Sequence, residues 1–278
     1  MVDPSDVELQ KSTRPPTASR DDSYTSWIVA AVVVVLVAAA AAWFSVAWRR
    51  NAEPVSSPAA SAPAAASTPR PLGAAAEPLE LPPLADTDPL VRRLVGALSA
   101  HPTVTRWLAT GRLIRTFVVV VENIAHGASP ARHVPALRPG GSFRTIAGEN
   151  NVRIDPRNDD RYTPIAAAVD SIDADGAARL YTMLKPRLEE AYAELGRSES
   201  FDVALEQAIV VLLRTPALDG PVSLVPKGIG FAFEDPRLER LAPAQKQLAR
   251  MGPQHVRTIQ AKLRQIAGAL GIPPERLP

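Results

Sequence analysis

The run from Trp27 to Trp48 constrains this chain more than any other feature, because its 22 residues carry no charge at all. As a helix rising about 1.5 Å per residue it reaches roughly 33 Å, slightly more than the hydrocarbon core of a bilayer. Ten of its residues are Val, Ile, Leu or Phe. Each favours insertion by roughly 0.3–0.6 kcal/mol, so the segment gains on the order of 3–6 kcal/mol in lipid. Trp27, Trp43 and Trp48 stand near its ends, where amphipathic rings prefer the headgroups, and Arg49-Arg50 stops it. Val-rich sequence favours strands in water, but a lone segment in lipid must satisfy its own backbone and is forced into a helix. A single transmembrane helix over 27–48 is therefore expected. A cleaved signal peptide ending near Ala40–Ala42 is the competing expectation, and it fits less well. The apolar run is too long for it, and Asp21-Asp22 precede the run where positive charge belongs.

The flanks read as extended chain. Residues 1–26 form a disordered polar tail, and 49–85 a disordered linker, with 11 Ala and 8 Pro in the 35 positions from 51 to 85. Lys11, Arg14 and Arg20 on one side balance Arg49 and Arg50 on the other, so the positive-inside rule gives no orientation. A short tail inside and an exported domain is the working expectation.

Only residues beyond the linker can build a core. No cysteine is present anywhere, which removes disulfide frameworks, thiol nucleophiles and thiolate metal sites. From residue 86 onward 25 Lys and Arg face 21 Asp and Glu. That scattered excess of four is too weak for a nucleic-acid footprint, so no nucleic acid is expected as a partner.

The spacing over 86–271 predicts a mainly α domain of several helices with one or two small β-hairpins, followed by a short tail at 272–278. Asp86-Thr87-Asp88-Pro89 reads as a capped helix start. Trp107, Leu113, Ile114 and Phe117 continue at helical spacing into Val118–Val121, a run apolar on every side and so buried, which its flanks assign to helix. Pro130, Pro135, Pro139 and Gly140-Gly141 punctuate a loop over 126–142. Hairpins are expected at Phe143–Ile146 with Val152–Ile154, and at Val222–Val225 with Phe231–Phe233. Between them lie helical stripes, Ile165, Val169 and Ile172, then Leu180, Leu184, Leu188, Tyr192 and Leu195, then Phe201, Leu205, Ile209 and Leu212. A last helix from Pro253 carries Val256, Ile259, Leu263, Ile266 and Leu270 as a narrow apolar seam, expected to pack on its own domain.

Several motifs fail on inspection. Ser171-Ile172-Asp173-Ala174-Asp175-Gly176 opens like a calcium loop, but its twelfth position is Thr182 and not the closing Glu, so the aspartates are expected to cap a helix. His126 and His133 lack a partner at zincin spacing, and His126 with Asn123 reads as a helix C-terminal pair. Gly228-Ile229-Gly230 lacks the third glycine of a dinucleotide loop and reads as a hairpin turn. Glu189-Glu190 is read as a solvated face. No Walker or GxSxG sequence occurs. No metal and no cofactor are expected, and no catalytic residue is assigned. Arg132, His133, Arg138 and Arg144 around the rigid loop, with Arg161, are the candidates for holding an anion.

A further set of residues carries a resemblance. It comprises Leu81-Pro82-Pro83-Leu84 with Asp88-Pro89, Asn123-Ile124-Ala125-His126-Gly127 with Pro130, His133 and Pro135, and Arg161-Tyr162. Glu190-Ala191-Tyr192 with Leu195-Gly196, Phe233-Glu234-Asp235-Pro236 with Leu238-Glu239, and Lys246 with Arg250-Met251-Gly252-Pro253 complete it. In this order, over about 80–270, the chain resembles domain of unknown function family 3014, a bacterial family of single-pass membrane proteins. The resemblance implies a membrane helix, a Pro/Ala-rich spacer and one helical domain in the bacterial inner membrane, and it assigns no activity. His255 departs from the pattern, standing where a small amide is expected after the Met-Gly-Pro turn. The expected role is a membrane-tethered interaction or scaffold module of the cell envelope, with the bilayer and another envelope protein as partners. The alternative is an envelope enzyme using the Arg/His loop with Asp155, Asp159 or Asp160.

Overall fold

The structure, a computed structural model, describes residues 71–76, 79–135, 138–148, 151–228 and 230–278. The tail at 1–26, the apolar run at 27–48 and the linker up to residue 70 lie outside the described residues. Among the described residues no helix is long and apolar enough to cross a membrane.

The described chain is mainly helical, with a small four-stranded antiparallel sheet. Its helices are α1 (Asp88–Gly96), α2 (Pro102–Leu108), α3 (Leu113–Ala125), α4 (Thr163–Asp170), α5 (Ala174–Ala193), α6 (Phe201–Leu213), α7 (Pro236–Glu239), α8 (Pro243–Ala249) and α9 (Pro253–Ala269). Six of them, α1, α2, α4, α7, α8 and α9, have Pro in the first two positions, where the missing N–H costs no hydrogen bond and the fixed φ suits a helix. Much of the proline beyond the linker is therefore helix-start signal and not loop.

The valine run resolves as helix. Val118, Val120 and Val121 are fully buried inside α3, which packs most extensively on α6 and also on α5. The side of α6 that meets it presents Phe201, whose ring takes edge-to-face positions against Phe117 (5.7 Å) and Tyr192 (5.4 Å) and stacks on Tyr181 (6.4 Å). Such pairs add to the burial of their area. The seam of α9 is buried from Val256 to Leu270 and packs on α4, α5 and α6. Leu195 alone of the α5 stripe is exposed, because the helix ends at Ala193.

Some caps are local and some are not. Asp173 accepts from the Gly176 N–H (2.8 Å), as its spacing implied. Asn123 donates to the Val119 carbonyl (2.6 Å) and His126 bonds the Glu122 carbonyl (3.0 Å) at the end of α3. Asp88 behaves differently from its reading as the cap of its own helix. Its carboxylate accepts from the backbone of Arg112 (2.7 Å) and Leu113 (2.8 Å), capping α3 from 25 residues upstream. Glu189 likewise is no idle solvated residue, since it accepts from Ser200 Oγ (2.7 Å) and the Phe201 N–H (3.0 Å) at the start of α6.

The linker reading also needs trimming. Residues 71–76 and 79–85 are laid along the helices, with Leu72 and Leu84 in the main core. The Leu72 N–H donates to Asp202 (3.1 Å), Gly73 N–H to the Leu270 carbonyl (2.9 Å), and Thr182 Oγ1 to the Ala74 carbonyl (2.9 Å). Arg187 grips the carbonyls of Leu81 (3.0 Å) and Pro82 (2.8 Å). Apolar side chains and satisfied backbone, not composition, decide that this stretch belongs to the folded body. At the other end Ile272 is buried, so the expected tail is docked as well.

The sheet runs in the order β1 (Thr145–Ala147), β2 (Val152–Ile154), β3 (Ser223–Lys227) and β4 (Gly230–Phe233). Both expected hairpins form. They are joined into one sheet by Val152 opposite Leu224 and Arg153 opposite Ser223.

Candidate functional site

Its two edges are treated differently. On β4, the outward Phe233 N–H donates to Glu239 Oε2 (3.2 Å) and the Phe231 carbonyl accepts from Arg250 Nη2 (3.1 Å), so side chains occupy that edge. Glu239 is also held by Lys227 (3.0 Å) and Lys246 (3.2 Å). Burial alone would raise its pKa, but both lysines and the Phe233 N–H bring the carboxyl down to about 2.

On β1 the alternation of antiparallel bonds fixes what points outward. Asp155 N–H donates to the Arg144 carbonyl (3.2 Å) and Gly148 N–H to the Asn151 carbonyl (2.7 Å), so Arg144, Ile146 and Gly148 turn their backbone groups toward β2. Thr145 and Ala147 therefore point theirs away from the sheet, and no partner for them is found among the described residues. Ile146 and Ala147 are exposed.

Beside this open edge lies a cleft of about 410 Å³. Ile146 and Ile154 from the first hairpin, Leu218, Pro221 and Val222 ahead of β3, and Pro253 at the start of α9 give it apolar walls. Arg153, Asp159 and Arg250 are the charged groups in it. Ile146 and Arg153 are cross-strand partners, so their side chains stand on one face. Arg153 Nε is buried without a hydrogen-bond partner. Arg250 lies over the Phe233 ring at 4.8 Å and spends one donor on Phe231. The Asp159 carboxylate is pressed against Gly252, whose φ of 96° and missing Cβ let the turn before α9 come this close. Burial raises the Asp159 pKa, with His255 opposing and Asp160 adding to the rise. His255 Nε2 donates to the Asp159 carbonyl (3.0 Å), so the departing histidine has a structural use, tying α9 to the 3-10 turn Pro156–Tyr162.

Among the described residues Arg132, His133, Arg144 and Arg161 are placed around the loop with no hydrogen-bonded partner common to all four. Arg132 Nε donates to His133 Nε2 (2.9 Å), and burial together with the Arg132 charge lowers the His133 pKa, keeping the ring neutral. Arg161 is spent on the carbonyls of Gly140 (2.9 Å) and Gly141 (2.8 Å) and lies over the Tyr162 ring. Arg138 and Arg144 have exposed side chains. The Arg144 backbone is held by fully buried Asn158, which donates to its carbonyl (2.7 Å) and accepts from its N–H (2.8 Å).

Of the carboxylates paired with this loop in the enzyme reading, Asp155 is taken by Arg157 through its backbone (2.9 Å) and guanidinium (2.6 Å), and its pKa is held low by that partner. Asp160 is exposed. Among the described residues no ion pair or hydrogen bond joins His133 or Arg161 to Asp155, Asp159 or Asp160. Nor does any group of three or more His, Asp or Glu among them form a metal-binding cluster. Sequence reasoning named Asp159 but missed Arg153 and Arg250. A hydrophilic residue at the middle of a short, otherwise apolar strand was the available signal for Arg153.

Comparison with known proteins gives one match. The model of a family described as Protein of unknown function (DUF3014) covers residues 113–267, from the first residue of α3 almost to the end of α9. This is narrower than the resemblance over about 80–270, leaving α1 and α2 outside. No curated protein and no solved structure matches. With more than half of its length matched, the chain belongs to the family Protein of unknown function (DUF3014).

Proposed function

We propose that this chain is a membrane-tethered interaction module of the bacterial cell envelope, held by a transmembrane helix over 27–48 and a Pro/Ala-rich spacer, with its helical domain exported. The tether reading rests on the uncharged run between Trp27 and Trp48 and the arginines that end it.

The interaction reading rests on one observation, the open edge of β1 running beside an apolar cleft while the opposite edge of the same sheet is occupied by Glu239 and Arg250. An unpaired strand edge is a template for another extended segment, and proteins that do not use an edge usually blunt it. The partner's backbone pairs with Thr145 and Ala147, and its alternate side chains face the cleft.

Thr145→Pro tests this directly. It removes an outward N–H and leaves the β1–β2 bonds in place, so the fold is retained. A photoreactive side chain at Ala147 of the full chain in cells is expected to give a discrete crosslinked adduct that Thr145→Pro abolishes, while the same probe at exposed Val203 on α6 gives none. An adduct from Ala147 that survives Thr145→Pro would show that strand pairing is not how the surface is used.

A further inference from the structure

The β3–β4 hairpin outruns the sheet it belongs to. β2 pairs with β3 only at Ser223 and Leu224, whereas β3 and β4 stay paired as far as Lys227 and Gly230. Burial stops at the same level. Leu224, Ala232 and Phe233 are buried, while Val225, Pro226, Lys227, Gly228 and Phe231 are exposed. Phe143 adds a second ring, 6.2 Å from that of Phe231. Apolar side chains at the end of a projecting ribbon add nothing to the core and are open to an apolar medium.

Cations stand along the same ribbon. Lys227 is seven-tenths exposed at the tip, Lys246 shares Glu239 with it (3.2 and 3.0 Å), and Arg250 donates to the Phe231 carbonyl (3.1 Å). Glu239 answers only one of these three charges. Residues 225–231 include no acid, and the exposed Glu234 and Asp235 follow β4 at the end away from the tip. Aromatic and aliphatic side chains beside uncompensated cations suit the headgroup layer of an anionic bilayer.

The tether lets this tip reach the bilayer. The chain enters the folded body beside the C-terminal end of α9, where Gly73 N–H bonds the Leu270 carbonyl, whereas Arg250 holds the hairpin just ahead of the N-terminal end. With 17 residues, α9 separates the two by about 25 Å. Residues 49–70 as a flexible coil span about the same distance, so a body resting on its hairpin leaves the spacer unstretched.

We infer that the tip of the β3–β4 hairpin docks end-on in the headgroup layer of the bilayer that anchors the chain, with Val225 and Phe231 entering it and Lys227 on anionic lipid phosphates. This rests on the tether half of the reading above and not on the β1 edge, which lies at the other side of the sheet. A weak contact suffices, because the tether keeps the bilayer within reach.

The chain has no cysteine, so single labels can be placed at will. A polarity-sensitive fluorophore on Pro226→Cys of the full chain, reconstituted in vesicles of phosphatidylcholine with about 30% phosphatidylglycerol, reports the tip at an anionic surface. Lipid brominated just below the headgroups should quench it several-fold more than the same label on Val203→Cys. Val203 is exposed beside Asp202, which holds Leu72 at the opposite end of the body. High salt and pure phosphatidylcholine should both weaken the quenching. Lys227→Gln should lower the ratio of docked to undocked label about fivefold, and the exposure of this side chain leaves the fold intact. Equal quenching at the two positions, in vesicles that retain the chain at alkaline pH, would overturn the inference and leave the tether standing. Quenching indifferent to phosphatidylglycerol and to Lys227→Gln would overturn the anionic contact. A chain lost from the vesicles at alkaline pH would remove the tether and this inference with it, while the Ala147 crosslink still decides the β1 edge.

Discussion

Gly252 and Glu239 show how far single residues set the shape of this surface. At Gly252 two costs coincide, a φ of 96° that side chains rarely adopt and a Cβ that would collide with the Asp159 carboxylate. Gly252→Ala is expected to destabilise the fold by about 2 kcal/mol or more, read as a fall in melting temperature. Adding Asp159→Ala should recover the steric part and leave the backbone part, so the two substitutions should couple instead of adding. Glu239 makes a prediction about pH. Its folded pKa of about 2 lies below that of an unfolded glutamate, about 4.3, so its stabilisation is complete above the unfolded value and drains away as pH falls toward 2. Glu239→Gln should therefore cost on the order of 1–2 kcal/mol at pH 7, allowing for solvent screening of the exposed Lys227, and nothing relative to the unsubstituted chain near pH 2. Equal destabilisation at both pH values in chemical unfolding would count against this account of the β4 edge.

At the scale of elements, what can be read in sequence is what acts locally. The valine run of α3 could be assigned to helix because Arg115, Glu122 and Asn123 bracket it without turn residues, and Asp173 could be named as a cap because its acceptor reaches three residues ahead. Both hairpins showed through alternation and glycine. The pairing of Val152 with Leu224 did not, because nothing near either residue specifies a partner some 70 positions away. The cleft was hidden for the same reason, since Arg153, Asp159 and Arg250 come from three elements brought together only when the two hairpins join and α9 starts after the turn at Gly252. Asp88 is the sharpest case, a carboxylate correctly placed at a helix start that serves the helix after next. Asp88→Ala is accordingly expected to cost about 1–2 kcal/mol. Its signature is positional: hydrogen exchange should accelerate at Arg112 and Leu113 in α3 while the first turn of α6, capped by Glu189, stays protected.

For the whole molecule, the docking of residues 71–76 and 79–85 changes the geometry of the proposed tether. If the spacer ran to residue 85, polyproline II would span about 110 Å; with the chain entering the folded body at Pro71, only residues 49–70 remain, and the same rise gives about 70 Å. As a flexible coil those residues span only about 25 Å. A folded body of about 200 residues has a radius of gyration near 17 Å, so the domain would ride close to the headgroups instead of well clear of them. Two measurements on membranes check the arrangement together. The full chain should resist extraction at high salt and alkaline pH, and deleting 27–48 should release it. An active alkaline phosphatase fused to the C-terminus would report export. Limited proteolysis from the domain side should then cut within 51–70 and leave a folded fragment that keeps Leu72, because residues beyond Pro71 are held by Asp202, Leu270, Thr182 and Arg187. A stable fragment beginning near Asp86 would mean that the residues from Pro71 to Ala85 are not part of the folded body, and a chain washed free by salt would remove the tether itself.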